Sequence, residues 1–117
     1  VLRQQRARFG LGKHQRLTRR TGFERLLREG ARRSQSGFTF YLARRQNGPP
    51  RLGILISRKH AAKATVRNYL KRCIREAFRL EQGKLGALDV LVRPPYGARP
   101  GAALIERLRA LFTALCA

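Results

Sequence analysis

Apolar positions along this 117-residue chain switch between two periods, and each switch marks a predicted element. Phe23, Leu26 and Leu27 recur three and four residues apart, which predicts a short helix from about Thr18 to Glu29. Thr18 or Thr21 would cap it and Gly30 would stop it. Upstream, Phe9 and Leu17 are apolar residues available to fold back onto a core. Alternation then takes over. Phe38, Phe40 and Leu42 alternate with Thr39, Tyr41 and Ala43, the pattern of a half-buried strand. "RQNGPP" reads as a turn, and "RLGILIS" as a further strand running through Ser57. These two strands are expected to pair as an antiparallel hairpin. Helical spacing returns from Val66 to Leu80, with Thr65 as the expected N-cap and Gly83 or Gly86 as the stop. Leu88 to Arg93 reads as a strand. Leu104, Leu108, Leu111 and Leu115, with Ile105 and Phe112 beside them, predict a last helix over 102–115. Strands interrupted by a helix, with helices at both ends, predict one α+β domain over residues 13–117. Residues 1–12 form a basic arm, interrupted by Gly10 and Gly12.

Charge changes this outline most. Lys and Arg number 27 against 6 Asp and Glu, a formal net charge of +21. So much self-repulsion in one small domain points to a polyanionic partner. On a helical wheel of Val66–Leu80, Leu70, Cys73, Ile74, Ala77 and Phe78 share one arc with Val66 and Leu80. Arg67, Lys71, Arg72, Arg75 and Arg79 fill the neighbouring arc, with Asn68 among them. Arg67, Lys71, Arg75 and Arg79 stand four apart, a spacing at which like charges repel. A solvated face usually mixes signs; this one presents a cationic row for phosphates. Arg58, Lys59, His60 and Lys63 add to it just upstream.

The remaining residues narrow the partner. No clear row of small residues fits the helix for a major groove, whereas Phe38, Phe40 and Tyr41 offer rings for unpaired bases, so RNA is preferred to duplex DNA. Tyr41, on the alternate face, is the expected exposed platform, and core packing is the competing role of Phe40. His14 and His60 are expected as phosphate contacts or plain surface residues. Cys73 and Cys116 have neither framework nor metal-ligand spacing and read as free thiols. No apolar run reaches a membrane span and no apolar core follows the basic N-terminus, so the simplest localisation is cytoplasmic.

"SRKHAAKATVRNYLKRCIREAFR" resembles the signature region of the protein component of bacterial ribonuclease P. The matching pieces are Arg67-Asn68, Lys71-Arg72 and Arg75-Glu76-Ala77-Phe78-Arg79, in one helical register. "RLTRRTGFERLLREG", "RLGILISRK" and "DVLV" sit where that family places them, so the resemblance covers roughly Phe9 to Cys116. Where the family commonly has a second Arg after the Asn, this chain has uncharged Tyr69. The resemblance implies a ribonuclease P protein-like fold: a single-layer mixed sheet packed with helices, with a left-handed β-α-β crossover through the basic helix. It implies a protein subunit that binds a bacterial ribonuclease P RNA and precursor tRNA. The holoenzyme would remove the 5′ leader by endonucleolytic cleavage, with Mg²⁺ bound mainly by RNA and the RNA performing catalysis. By the same resemblance, Arg58, Lys59, Lys63, Arg67, Asn68, Lys71, Arg72, Arg75 and Arg79 would hold the catalytic RNA. Phe9, Phe23, Phe38, Phe40, Tyr41, Arg58 and Lys59 would hold the leader. No catalytic residue is assigned to the protein, direct metal ligation is left open, and the free protein is expected to be a monomer. A ribosomal protein or RNA chaperone, an autonomous nuclease and a DNA-binding protein are the competing readings.

Overall fold

A computed structural model describes residues 15–17, 22–97, 101 and 103–115. The basic arm, Phe9, His14, Thr18, Thr21 and Cys116 lie outside the described residues. In chain order the elements are α1 (Phe23–Glu29), β1 (Ala31–Gln35), β2 (Phe38–Arg44), β3 (Arg51–Ile54), α2 (Ala64–Leu85), β4 (Leu88–Arg93) and α3 (Leu104–Ala114). The strands form one mixed sheet in the order β1-β2-β4-β3. β1 and β2 are antiparallel, β2 and β4 are antiparallel, and β3 runs parallel to β4 through the α2 crossover.

The expected hairpin between the Phe38 and Leu52 strands does not form, because β4 lies between them. The reason is burial. Leu88 to Val92 are buried on both faces of the sheet, and such a strand belongs at its centre. Short β3, preceded by Pro49 and Pro50, takes an edge. The hairpin instead joins β1 to β2 through a two-residue turn with positive φ at Ser36 (54°) and Gly37 (84°). β1 reads Ala-Arg-Arg-Ser-Gln and is exposed throughout, so hydrophobic periodicity carries no trace of it.

Both faces of the sheet are covered. On one, Phe40, Leu42, Val90 and Val92 pack against Leu70, Ile74 and Phe78 of α2 and Leu108 and Phe112 of α3. Phe112 meets Phe40 and Phe78 edge-to-face, with centroids 5.8 and 5.7 Å away. On the other face, Leu17 and Leu26 close over Tyr41 and Leu91, with Phe23 beside them. α1 approaches so near that a Cβ on Gly53 would lie 2.5 Å from the Phe23 ring and 3.0 Å from the Leu17 Cβ. Glycine at this strand position makes the docking of α1 sterically feasible.

α2 is longer at both ends than its periodicity predicts. Its N-cap is Lys63 and it receives no side-chain cap, so Thr65 does not serve as one. Gly83 is helical; the chain leaves the helix at Gly86, with φ 66°. Near that end Glu81 is almost fully buried. It receives Lys84 Nζ at 2.9 Å, Arg109 Nε at 2.7 Å and Thr113 Oγ1 at 3.0 Å, which fastens α2 to α3.

Candidate nucleic-acid interface

The first half of α2 and the turn before it carry the candidate cations. Arg58, Lys59, Lys63, Asn68, Arg72 and Arg75 are exposed, and Arg67 and Lys71 are half-buried. None of these Lys or Arg side chains takes part in an ion pair among the described residues. Arg67 has a bond that sequence reasoning missed. Its Nη1 donates to the carbonyls of Ala61 and Ala62, at 3.0 and 2.9 Å, and ties the preceding turn to the helix. Its Nε and Nη2 donors are left for an anion.

Arg79 behaves differently. Its Nε donates to Glu76 at 3.1 Å and its Nη2 to the other carboxylate oxygen. The pairing holds the Glu76 carboxyl below its usual range. Arg79 therefore sits on the predicted face, but its charge is already answered within the protein.

The cationic stripe opens onto a groove beside β3. Leu17, Phe23, Leu52 and Ile54 form its apolar floor, and Arg16, Lys71 and Arg75 its rim, around a cavity of about 240 Å³. Arg16 reaches this place because its segment adds to the sheet edge. Arg16 bridges Leu52 in parallel fashion, and the Leu17 N–H donates to the Leu52 carbonyl at 2.8 Å. Gln15 Nε2 anchors the same segment to the Pro50 carbonyl (3.2 Å) and to Gln82 Oε1 of α2 (2.9 Å). Partial burial, and then the repulsion of Arg16, hold Arg75 below the ordinary guanidinium value. Three like charges gathered over an apolar floor, with no ion-paired acid among the described residues, suit a phosphate with a base or sugar beneath it. Sequence reasoning missed Arg16. The available signal was Leu17, an apolar residue whose burial carries its neighbour to the rim.

The proposed leader aromatics do not stand together. Phe23 lines the groove. Phe38 and Phe40 are buried on the helix-packed face, in the main core. α2 and α3 pack over that face and enclose Phe40 in the core, against its expected contact with a ligand, while Phe38 lines a cavity with Ser36, Pro95 and Arg107, away from the Phe23 groove. Tyr41 lies on the opposite face as expected, but it is 7% exposed beneath α1 and is no open platform. Arg32 reaches over its ring at 6.0 Å. Phe9 lies outside the described residues. Tyr69, in place of the second Arg, is 44% exposed on α2. His60 is not a surface residue; it is buried, with Nδ1 accepting from the Ser57 N–H at 2.9 Å.

Three carboxylates of α2 and β4 are committed. Glu76 pairs with Arg79, Glu81 with Lys84 and Arg109, and Asp89 with Arg45 and Arg51. Among the described residues no three or more His, Cys, Asp or Glu side chains gather as a metal site. Among the described residues, no helix is long and apolar enough to cross a membrane.

A family model described as Ribonuclease P matches residues 11–116, nearly the whole chain. The chain belongs to the ribonuclease P protein family. The ribonuclease P protein component of Methylococcus capsulatus is 35% identical over 102 residues, covering 86% of this chain and 80% of the relative. Among solved structures, the RNase P protein of Thermotoga maritima is 31% identical with a TM-score of 0.61, covering 86% of this chain and 87% of that one. A mutant RNase P protein of Staphylococcus aureus is 26% identical with a TM-score of 0.67, covering 98% and 91%. Membership in the ribonuclease P family implies a role in tRNA 5′ processing together with an RNA subunit. The α+β fold with its four-stranded mixed sheet is accordingly that of a ribonuclease P protein.

Proposed function

We propose that this chain is the RNA-gripping subunit of a ribonuclease P holoenzyme, which removes the 5′ leader of precursor tRNA by Mg²⁺-dependent endonucleolytic cleavage. The observation that carries this reading is the set of cations on the first half of α2 that pair with no acid among the described residues, opening onto the groove rimmed by Arg16, Lys71 and Arg75. Arg58, Lys59, Lys63, Arg67, Asn68 and Arg72 hold the backbone of the catalytic RNA. Phe23, on the groove floor, receives part of the unpaired leader while Lys71 and Arg75 hold its phosphates. The protein's contribution is affinity and position: it neutralises phosphate charge and fixes the leader relative to the RNA. It supplies no nucleophile, and Mg²⁺ is bound mainly by the RNA. Arg79 contributes little to the grip, because Glu76 already holds it.

The test is cleavage of precursor tRNA at low, near-physiological Mg²⁺, comparing a bacterial ribonuclease P RNA alone, the protein alone and the mixture. Strong stimulation at the mature 5′ junction in the mixture alone is expected. Cleavage by the protein alone would transfer the chemistry to this chain. Tight RNA binding without stimulation of a matched RNA would favour a chaperone or ribosomal role.

A further inference from the structure

A second aromatic stands apart from the groove. Tyr96 follows β4 and is 68% exposed, the largest exposure among the described aromatic rings singled out as exposed. One of its faces is covered. The His60 ring stacks on it with centroids 4.9 Å apart and planes inclined by 21°. The backbone fastens the same pair, since the Gly97 N–H donates to the His60 carbonyl at 3.0 Å.

His60 is itself held in place by burial and hydrogen bonds. It is 5% exposed, and its Nδ1 accepts from the Ser57 N–H at 2.9 Å and lies 3.1 Å from Ser57 Oγ. The backbone donor requires Nδ1 to be an acceptor, so in the neutral ring the proton sits on Nε2. Burial, and then the charge of Arg93, push His60 below the ordinary imidazole value, so it stays uncharged at neutral pH. Tyr96 therefore rests on a fixed, neutral plane and turns its other face to solvent. Exposed Arg58 and Lys59 belong to the same turn as His60, and Arg93 is near enough to act on it. A flat open ring, backed by a second ring and borne beside a basic turn, has the construction of a nucleobase platform.

We infer that Tyr96, backed by His60, stacks on one unpaired base of an RNA partner, at a site apart from the Phe23 groove. The inference rests on the RNA-binding reading above. Stacking adds base contact without counterion release, so it strengthens binding without steepening its salt dependence. The base belongs either to the ribonuclease P RNA or to the precursor leader; both present the same chemistry.

The experiment measures affinity of the full chain for three RNAs across a salt titration: a bacterial ribonuclease P RNA, precursor tRNA with its leader, and the same tRNA without it. Tyr96→Ala is expected to weaken binding of at least one by about tenfold, with the salt slope unchanged. Tyr96→Phe is expected to bind as the unsubstituted protein does. The RNA whose affinity falls names the source of the base. Unaltered affinity of Tyr96→Ala for all three overturns the platform, as does an equal loss in Tyr96→Phe or a shallower slope. Failure of the unsubstituted protein to bind any of the three overturns the RNA-binding reading beneath it.

Discussion

The two halves of α2 use the same residue types for opposite ends. From Lys63 to Arg75 the cations have no acidic partner among the described residues, and Arg16 adds another beside them. From Glu76 to Leu85 the charges close on themselves: Arg79 on Glu76, and Lys84 with Arg109 on Glu81. One half is left open to an anion, and the other is stitched to the protein. A basic helix is thus not one functional unit. The position of two glutamates divides it, and only the half they do not reach is free to bind.

The largest expected effect falls on the stitched half. Glu81→Ala leaves Thr113 and the partly exposed Arg109 without their buried acceptor and should clearly lower the denaturation midpoint. Denaturant melts would show it, and RNA affinity of the folded fraction should hold. A loss of affinity without loss of stability would break the division. Glu81 also sets a pH dependence. Lys84, then Arg109, hold its carboxyl at about 2, from an ordinary 4.5. A depressed folded-state value means that its stabilisation is present above about pH 4.5 and is lost as the pH falls through that value toward about 2. An acid titration of Glu81→Gln should be flatter across that window than that of the unsubstituted protein.

Next comes the open half. Lys71→Ala with Arg75→Ala should weaken RNA binding by tens of fold, roughly 2 kcal/mol, and lower the salt slope by about 1.5. Thermal stability should be unchanged or slightly higher, because the Arg16–Arg75 repulsion is removed. Gly53→Ala sharpens the same comparison at the groove. Its methyl would collide with the Phe23 ring, at about 1–3 kcal/mol, and push the groove floor out of place. Leader-dependent affinity should fall more than affinity for leaderless tRNA. The smallest effect is expected for Arg79→Ala: at most about 1 kcal/mol of stability and less than a threefold change in RNA affinity. A loss as large as that of the Lys71/Arg75 pair would return Arg79 to the binding face.

Local periodicity made much of this legible. β4 runs from Leu88 to Arg93 as expected, and the wheel assigned the apolar face of α2 correctly from Val66 to Phe78, because 3.6-residue geometry needs no tertiary information; Leu80, on the same arc, is instead exposed. Strand order was not legible. Adjacency in sequence suggested a β2–β3 hairpin, whereas burial of β4 on both faces decided the centre of the sheet. β1 left no apolar signal. Nor does a wheel show which cations are already answered: Arg67 and Arg79 look alike on it, but one holds two carbonyls and the other a carboxylate. Phe38, Phe40 and Tyr41 alternate as a half-buried strand should, and only α1, seated over Gly53, shows that both faces are covered.

The open half of α2 also bears on how the free protein folds. Charges that repel one another in the compact state, as Arg16 and Arg75 do, lower its stability until an anion settles between them. Any polyanion that binds the folded chain and not the unfolded one shifts that equilibrium by mass action. An RNA bound along this helix would therefore serve as a late element of its folding, and even simple phosphate or sulfate would raise the melting temperature in proportion to how well it fills the groove.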